Sequence, residues 1–113
     1  MIGSLSGTTL ISGSRMSVLE SKIESDVSEY SQRCGCMHLK LVMWGRVGWP
    51  DHLYLFHGRV LLIEFKREGE QPRKIQEYIH ERIRKHGFDV AVVDNNADGR
   101  AVIDNLTEGL KII

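Results

Sequence analysis

The run Val60-Leu61-Leu62-Ile63 offers water no polar face as a strand, because alternate side chains of a strand point to opposite sides and all four here are apolar. Such a strand belongs in the middle of a sheet, with helices covering it from both sides. Leu53 to Phe56, then His57-Gly58, then Arg59 to Lys66 reads as a hairpin closed by a two-residue turn, which gives that central strand its first neighbour. The run ends on Glu64-Phe65-Lys66. Residues two apart on a strand share a face, so Leu61, Ile63 and Phe65 turn into the core while Glu64 and Lys66 emerge together where the strand reaches solvent. A carboxylate and an ammonium side by side at that point can hold a divalent cation and address a water beside it.

The remaining periodicities supply the cover. Ser17 or a neighbour caps a helix running through Val18, Leu19, Ile23, Val27 and Tyr30, with Ile23, Val27 and Tyr30 on one apolar stripe. Glu20 falls on or beside that stripe, which is costly for a carboxylate unless a cation waits there; the competing account is a solvated first-turn acid favoured by the helix dipole. Met37 to Trp44 alternates as a strand, and Gly45 to Asp51 is a turn-rich loop. After a loop at Gly69 to Gln71, Pro72 suits a first helical turn, and Ile75, Ile79 and Ile83 recur every four residues until Gly87. Val90 to Val93 is a short buried strand, and Arg100 to Leu110 holds a final small helix. The order is α-β-β-β-α-β with an α after it: an α/β fold, one small domain with a mixed sheet flanked by helices. Met1 to Arg15, rich in Ser, Gly and Thr and without apolar periodicity, is expected to be a flexible tail or an overlong start, ahead of a domain spanning residues 16–113.

At 113 residues and 42% hydrophobic content the chain can build a single core. Fifteen basic and fifteen acidic side chains cancel, which speaks weakly against a nucleic-acid partner, but their placement is uneven. Seven Lys/Arg against four Glu lie between Lys66 and Lys85, whereas Ser17 to Tyr30 holds four acids and one lysine. A basic stretch thus follows Glu64-Phe65-Lys66 and an acidic helix precedes it, although both also suit ordinary solvated helix faces. No apolar run approaches membrane-spanning length and no signal-peptide pattern opens the chain, so a soluble cytoplasmic protein without membrane partners is expected. Cys34 and Cys36 are too close together to staple a fold, which fits a reducing compartment; with His38 they lack a fourth zinc ligand. Asp94 to Gly99 matches the opening of a calcium loop, but its twelfth position is Asn105 and a strand precedes it, so a turn capping the last helix explains it better. His38, His52, His57, His80 and His86 show no metal spacing, and no Ser or Cys has a nucleophile setting.

Hydrolysing a phosphodiester needs a cation against developing charge, an activated water, and a group that orients or deprotonates it. Magnesium-like cations take oxygen ligands and are typically held by one or two carboxylates. Asp51 begins the first hairpin arm and Glu64 ends the second, so a tight hairpin brings these carboxylates together. The backbone carbonyl of Phe65 can add a third oxygen, and Lys66 then stands near the attacking water as orienter or proton acceptor.

Pro50-Asp51, twelve intervening residues, then Glu64-Phe65-Lys66 resembles the pattern of the PD-(D/E)xK nucleases. More narrowly, the chain is similar to the VRR-NUC (virus-type replication-repair nuclease) family over about Val18 to Val93. That family's early helical Glu, Gly-x-Pro-Asp, Glu-x-Lys, and Gln in the next helix are met by Glu20, by Gly48 to Asp51, by Glu64 to Lys66, and by Gln76. Each motif is common by itself; four in order on suitable elements are specific. The resemblance implies a restriction-endonuclease-like core and a Mg2+- or Mn2+-dependent endonuclease. In it Glu20 reaches the metal through water and Gln76 orients the site or meets the phosphate, with Glu24, one turn on, as the rival acid. It further implies a homodimer acting on branched DNA in the manner of Holliday-junction resolvases, in DNA repair, in a bacterial or phage-infected cell. A nickase or general duplex nuclease is the alternative within the class, and a non-catalytic DNA-binding or dimerisation module the alternative outside it. Intact Asp51, Glu64 and Lys66 speak against the latter. Trp49 is expected to pack in its loop or the core in preference to stacking on a base. Arg46, Arg67, Arg73 and Lys74 flank the site as phosphate-contact candidates, with plain solubility as the competing explanation for each.

Overall fold

The hairpin forms as its turn chemistry dictates. In the computed structural model, which describes residues 19–113, strands His52–Phe56 and Arg59–Phe65 pair antiparallel with Leu53 opposite Leu62 and Tyr54 opposite Leu61. His57 and Gly58 both take positive φ, 47° and 80°, the conformation that lets a two-residue turn follow the twist of its strands. Numbered along the chain, the elements are α1 (Glu20–Arg33), β1 (Met37–Lys40), β2 (His52–Phe56), β3 (Arg59–Phe65), α2 (Lys74–Lys85), β4 (Asp89–Val93) and α3 (Asn96–Leu106). The expected order is observed, with the further helix at its end.

The four strands lie in the order β1-β2-β3-β4, antiparallel except for the parallel pair β3-β4, so the sheet is mixed and β3 is interior. Leu61, Ile63 and Phe65 of β3 are buried with Tyr54, Phe56 and Val93 against Ile23 and Val27 of α1 and Ile103 and Leu106 of α3. α1 and α3 therefore cover one face. α2 covers the other near β4, where Ile79 and Val90 are buried and Arg84 donates to the Val90 carbonyl at 2.9 Å. Each large apolar side chain buried in such a core contributes roughly 1.5–3 kcal/mol of transfer free energy.

Several boundaries differ from expectation. α1 begins at Glu20 with Leu19 as a cap that makes no side-chain hydrogen bond; Ser17, Val18 and the expected tail at residues 1–15 lie outside the described residues. β1 ends at Lys40 instead of continuing to Trp44, because its pairing stops opposite His52 and the chain turns away after the Leu41 N–H donates to the Asp51 carbonyl at 2.7 Å. α2 starts at Lys74, leaving Pro72 ahead of the helix. Its buried positions are Gln76, Ile79 and His80, while Ile75 is 40% exposed, so the isoleucine stripe is rotated away from the expected face. The cause is polar: Gln76 and His80 face Glu64. α3 runs from Asn96 to Leu106, earlier than the expected Arg100 to Leu110, because the Asn95 side chain accepts from the Asp98 N–H at 2.8 Å and starts the helix there. The calcium-like segment is thus the cap of the last helix. Cys34 and Cys36 are buried free thiols between α1 and β1, and His38 makes its contacts with Ser28, Tyr54 and His52. Among the described residues no helix is long and apolar enough to cross a membrane.

Candidate active site

The side chains able to do chemistry gather at the carboxyl end of β3. Glu64 and Lys66 project from the face opposite Leu61, Ile63 and Phe65, as the pleat requires. The Glu64 side chain is 13% exposed and Lys66 is 7% exposed. An ammonium buried that deeply needs anionic company. Glu20, on the first turn of α1, lies near enough for the Lys66 charge to oppose the rise of its pKa. The backbone of Lys66 stays in the ladder past the strand end, its N–H donating to the Val93 carbonyl at 2.9 Å. Because His52 pairs with Ile63, the register places Asp51 level with Glu64 on the neighbouring strand. Asp51 is the more open of the two, its side chain 45% exposed.

Gln76 links helix to strand. Its side-chain oxygen accepts from the Arg73 N–H at 2.8 Å, completing the first turn of α2, and its amide nitrogen donates to Glu64 Oε2 at 3.2 Å. The motif glutamine therefore orients the carboxylate. Gln76→Ala leaves two groups short of a partner at once, and thermal unfolding of the metal-free protein should show a loss of about 1–3 kcal/mol; an unchanged melting curve would show that water replaces the amide at no cost.

Both candidate acids of α1 lie at this end. Burial first, then the adjoining Glu24 carboxyl and the Glu70 charge, push Glu20 up to about 7, with Lys66 pulling the other way. Glu24 is held by His52 Nε2 at 3.1 Å and faces Lys40 Nζ at 3.6 Å. The two acids thus lie one turn apart on α1, Glu20 within reach of the Lys66 charge and Glu24 bonded to His52.

The histidines carry no ligand spacing in sequence, yet the fold brings three of them in. His52 and His38 stand beside Glu24, and His80 Nε2 lies 3.5 Å from Glu64 Oε1. Two signals exist for this. His80 is one turn after Gln76 on the same helix face, and hairpin pairing sends the residue after Asp51 to the α1 side of the sheet.

Among the described residues, no three His, Cys, Asp or Glu side chains converge closely enough to ligate an ion by themselves. A cation here would rest on fewer side chains, with waters and backbone oxygen completing its shell, as Mg2+ accepts. One observation fits this. Glu64 Oε1 is buried without a hydrogen bond and faces, at 3.5 Å, the equally unbonded Nε2 of His80, which leaves this oxygen open to a cation or to a proton on that imidazole. Oxygens of the kind that Asp51, Glu64 and the Phe65 carbonyl carry are hard donors, the type that Mg2+ or Mn2+ takes.

Arg46, Arg67, Arg73 and Lys74 are all exposed on the segments before Asp51 and after Lys66. Arg46 lies over the Trp49 ring, 5.8 Å from its centroid, and Trp49 shares a small cleft with Ile79, Arg82, Ile83 and His86 of α2 and its cap. Trp49 thus packs in its loop and against the helix, as expected.

A mixed four-stranded sheet with Glu-x-Lys closing an interior strand and Pro-Asp opening its neighbour defines a small α/β domain of the nuclease kind. No family model matches the chain. It is 33% identical over 79 residues to "Putative nuclease p44" of Acyrthosiphon pisum secondary endosymbiont phage 1, covering 69% of this chain and 85% of that protein. A solved structure described as a VRR_NUC domain superimposes with a TM-score of 0.70 at 31% identity, covering 75% of this chain and 94% of that one. The chain belongs to the VRR-NUC family and is a nuclease.

Proposed function

We propose that this nuclease is a divalent-metal-dependent DNA endonuclease that cuts branched DNA as a homodimer. The observation that carries the metal-dependent reading is Glu64, with one oxygen bonded to Gln76 and the other buried without a hydrogen bond, 3.5 Å from His80 Nε2. A bound Mg2+ or Mn2+ would supply charge stabilisation at the phosphate and lower the pKa of water. Asp51 and Glu64 would hold it, with the Phe65 carbonyl as a third oxygen, and Glu20 would reach it through a water. Lys66 would orient the attacking water or, as the neutral amine, accept its proton, and Gln76 would keep the Glu64 carboxylate from rotating away. Arg46, Arg67, Arg73 and Lys74 meet phosphates on either side of the cut, which supplies salt-sensitive binding that a net charge of zero does not exclude. The homodimer has exposed apolar surface to use: Met37 and Leu39 are 62% and 37% exposed along the sheet edge.

The deciding experiment compares end-labelled four-way junction, flap and linear duplex with Mg2+, Mn2+ or EDTA. Paired cuts at the junction that vanish in EDTA are expected; cleavage in EDTA overturns the metal requirement, and equal cutting of all three substrates overturns the branched preference. Asp51→Asn should raise the Mg2+ needed for half-maximal cutting by on the order of 100-fold. Unchanged metal demand would remove Asp51 from the ligand set.

A further inference from the structure

A line of hydrogen-bonding side chains runs through the α1 side of the sheet and ends on the carboxylates of the site. Tyr54 Oη and Ser28 Oγ are 2.9 Å apart, and Ser28 Oγ is 3.4 Å from His38 Nε2. His38 Nε2 lies 2.8 Å from His52 Nδ1. His52 Nε2 then meets Glu24 Oε1 at 3.1 Å and faces Asp51 Oδ1 at 3.8 Å. The two imidazoles are parallel within 6°, and the Phe65 ring stands edge-on to His52 with centroids 4.9 Å apart. His52 is 3% exposed in a position whose strand neighbours on that face, Tyr54 and Ile63, are fully buried core.

An apolar residue would fill this place without the desolvation that a buried imidazole demands. The imidazole instead spends both nitrogens in defined directions. A carboxylate only accepts, so Glu24 fixes a proton on His52 Nε2 and leaves Nδ1 to accept from the Nε2–H of His38. Burial holds His38 below the usual histidine range, which favours the neutral imidazole this arrangement needs. His52 is thus fixed in tautomer and ring angle from behind and meets two carboxylates in front.

We infer that His52 is a positioning residue that sets the Glu24 and Asp51 carboxylates relative to one another, joining α1 to the loop that carries Asp51 so that the cation site exists in one geometry. The inference rests on the metal-dependent reading above. No contact with substrate is assigned to His52.

The test begins on metal-free protein. Nitrogen NMR of the imidazoles should find His52 as the Nε2–H tautomer, with its Nε2 resonance shifting in Glu24→Gln; the opposite tautomer overturns the proposal. Mn2+ binding, followed by electron paramagnetic resonance and without substrate, is then compared among variants. His52→Phe keeps the volume against Phe65 and removes both bonds, and should weaken Mn2+ binding roughly 10- to 100-fold. His52→Gln places an amide N–H near the lost Nε2–H and should restore most of that affinity. His52→Asn reaches only to the Nδ1 position and should not, so this pair decides the question even if the phenylalanine variant fails to fold. Equal Mn2+ affinity in the Gln and Asn variants overturns the positioning role. Wild-type protein that binds no Mn2+ removes the metal reading and this inference together, whereas wild-type binding with an unaffected His52→Phe removes this inference alone.

Discussion

Lys66→Ala should lower single-turnover DNA cleavage by about 10²- to 10⁴-fold, the range that loss of a positioned proton-transfer group produces. The fold has no reason to fail with it. The backbone at this position is fixed independently of the side chain, through the N–H bond to Val93, and the ammonium is 7% exposed, a burial that costs solvation free energy. Melting temperature and salt-dependent DNA binding should therefore stay near wild type while turnover is lost. Lys66→Arg separates two roles: guanidinium keeps the positive charge beside Glu20 but does not release a proton in the working pH range. Cleavage restored by arginine would reduce Lys66 to a charge that steadies the acids, and turnover retained in Lys66→Ala would remove it from the chemistry altogether.

The parts of this fold legible in sequence are those fixed by local rules. Strand parity alone separates Leu61, Ile63 and Phe65 from Glu64 and Lys66, and His57-Gly58 needs only its own backbone preferences to close the hairpin. The spacing from Asp51 to Lys66 is legible for the same reason, since one hairpin contains it. Gln76 sits one turn into the next helix, and its bond to Glu64 gives the motif position a physical role. What the sequence hides is long-range register. His52 meets Glu24 across 28 residues and His38 meets His52 across 14, and neither separation has a period that marks it. α2 misled in the opposite sense: its isoleucines make the stronger stripe, but Gln76 and His80 are buried because their partner Glu64 is on the sheet beneath. Glu20 and Glu24, one turn apart, could not be ranked by pattern because residues four apart share a helix face.

Gly48→Ala should be the most damaging single methyl in the loop that presents Asp51. Gly48 has φ +87°, which charges an L-residue about 1–2 kcal/mol for the left-handed region. A Cβ there would stand 3.0 Å from both Cγ1 and the carbonyl oxygen of Ile75. The side-chain atom can swing away, but the carbonyl belongs to the first turn of α2 and cannot. Overpacking of this kind adds roughly 1–3 kcal/mol, and relief comes only if the loop lifts from the helix. Asp51 lies three residues on, beyond the buried Pro50, and would move with it. The expected result is a lowered melting temperature, by about 4–8 °C for each kcal/mol lost, together with a raised Mg2+ requirement for cleavage. Gly45→Ala is the control, because Gly45 also has positive φ, +68°, but nothing within 4 Å of its would-be Cβ. It should pay the backbone strain and leave metal demand unchanged. If the two variants instead lose the same stability and keep the same metal requirement, the close approach to Ile75 does not hold Asp51 in place, and the glycine of the motif serves the turn alone.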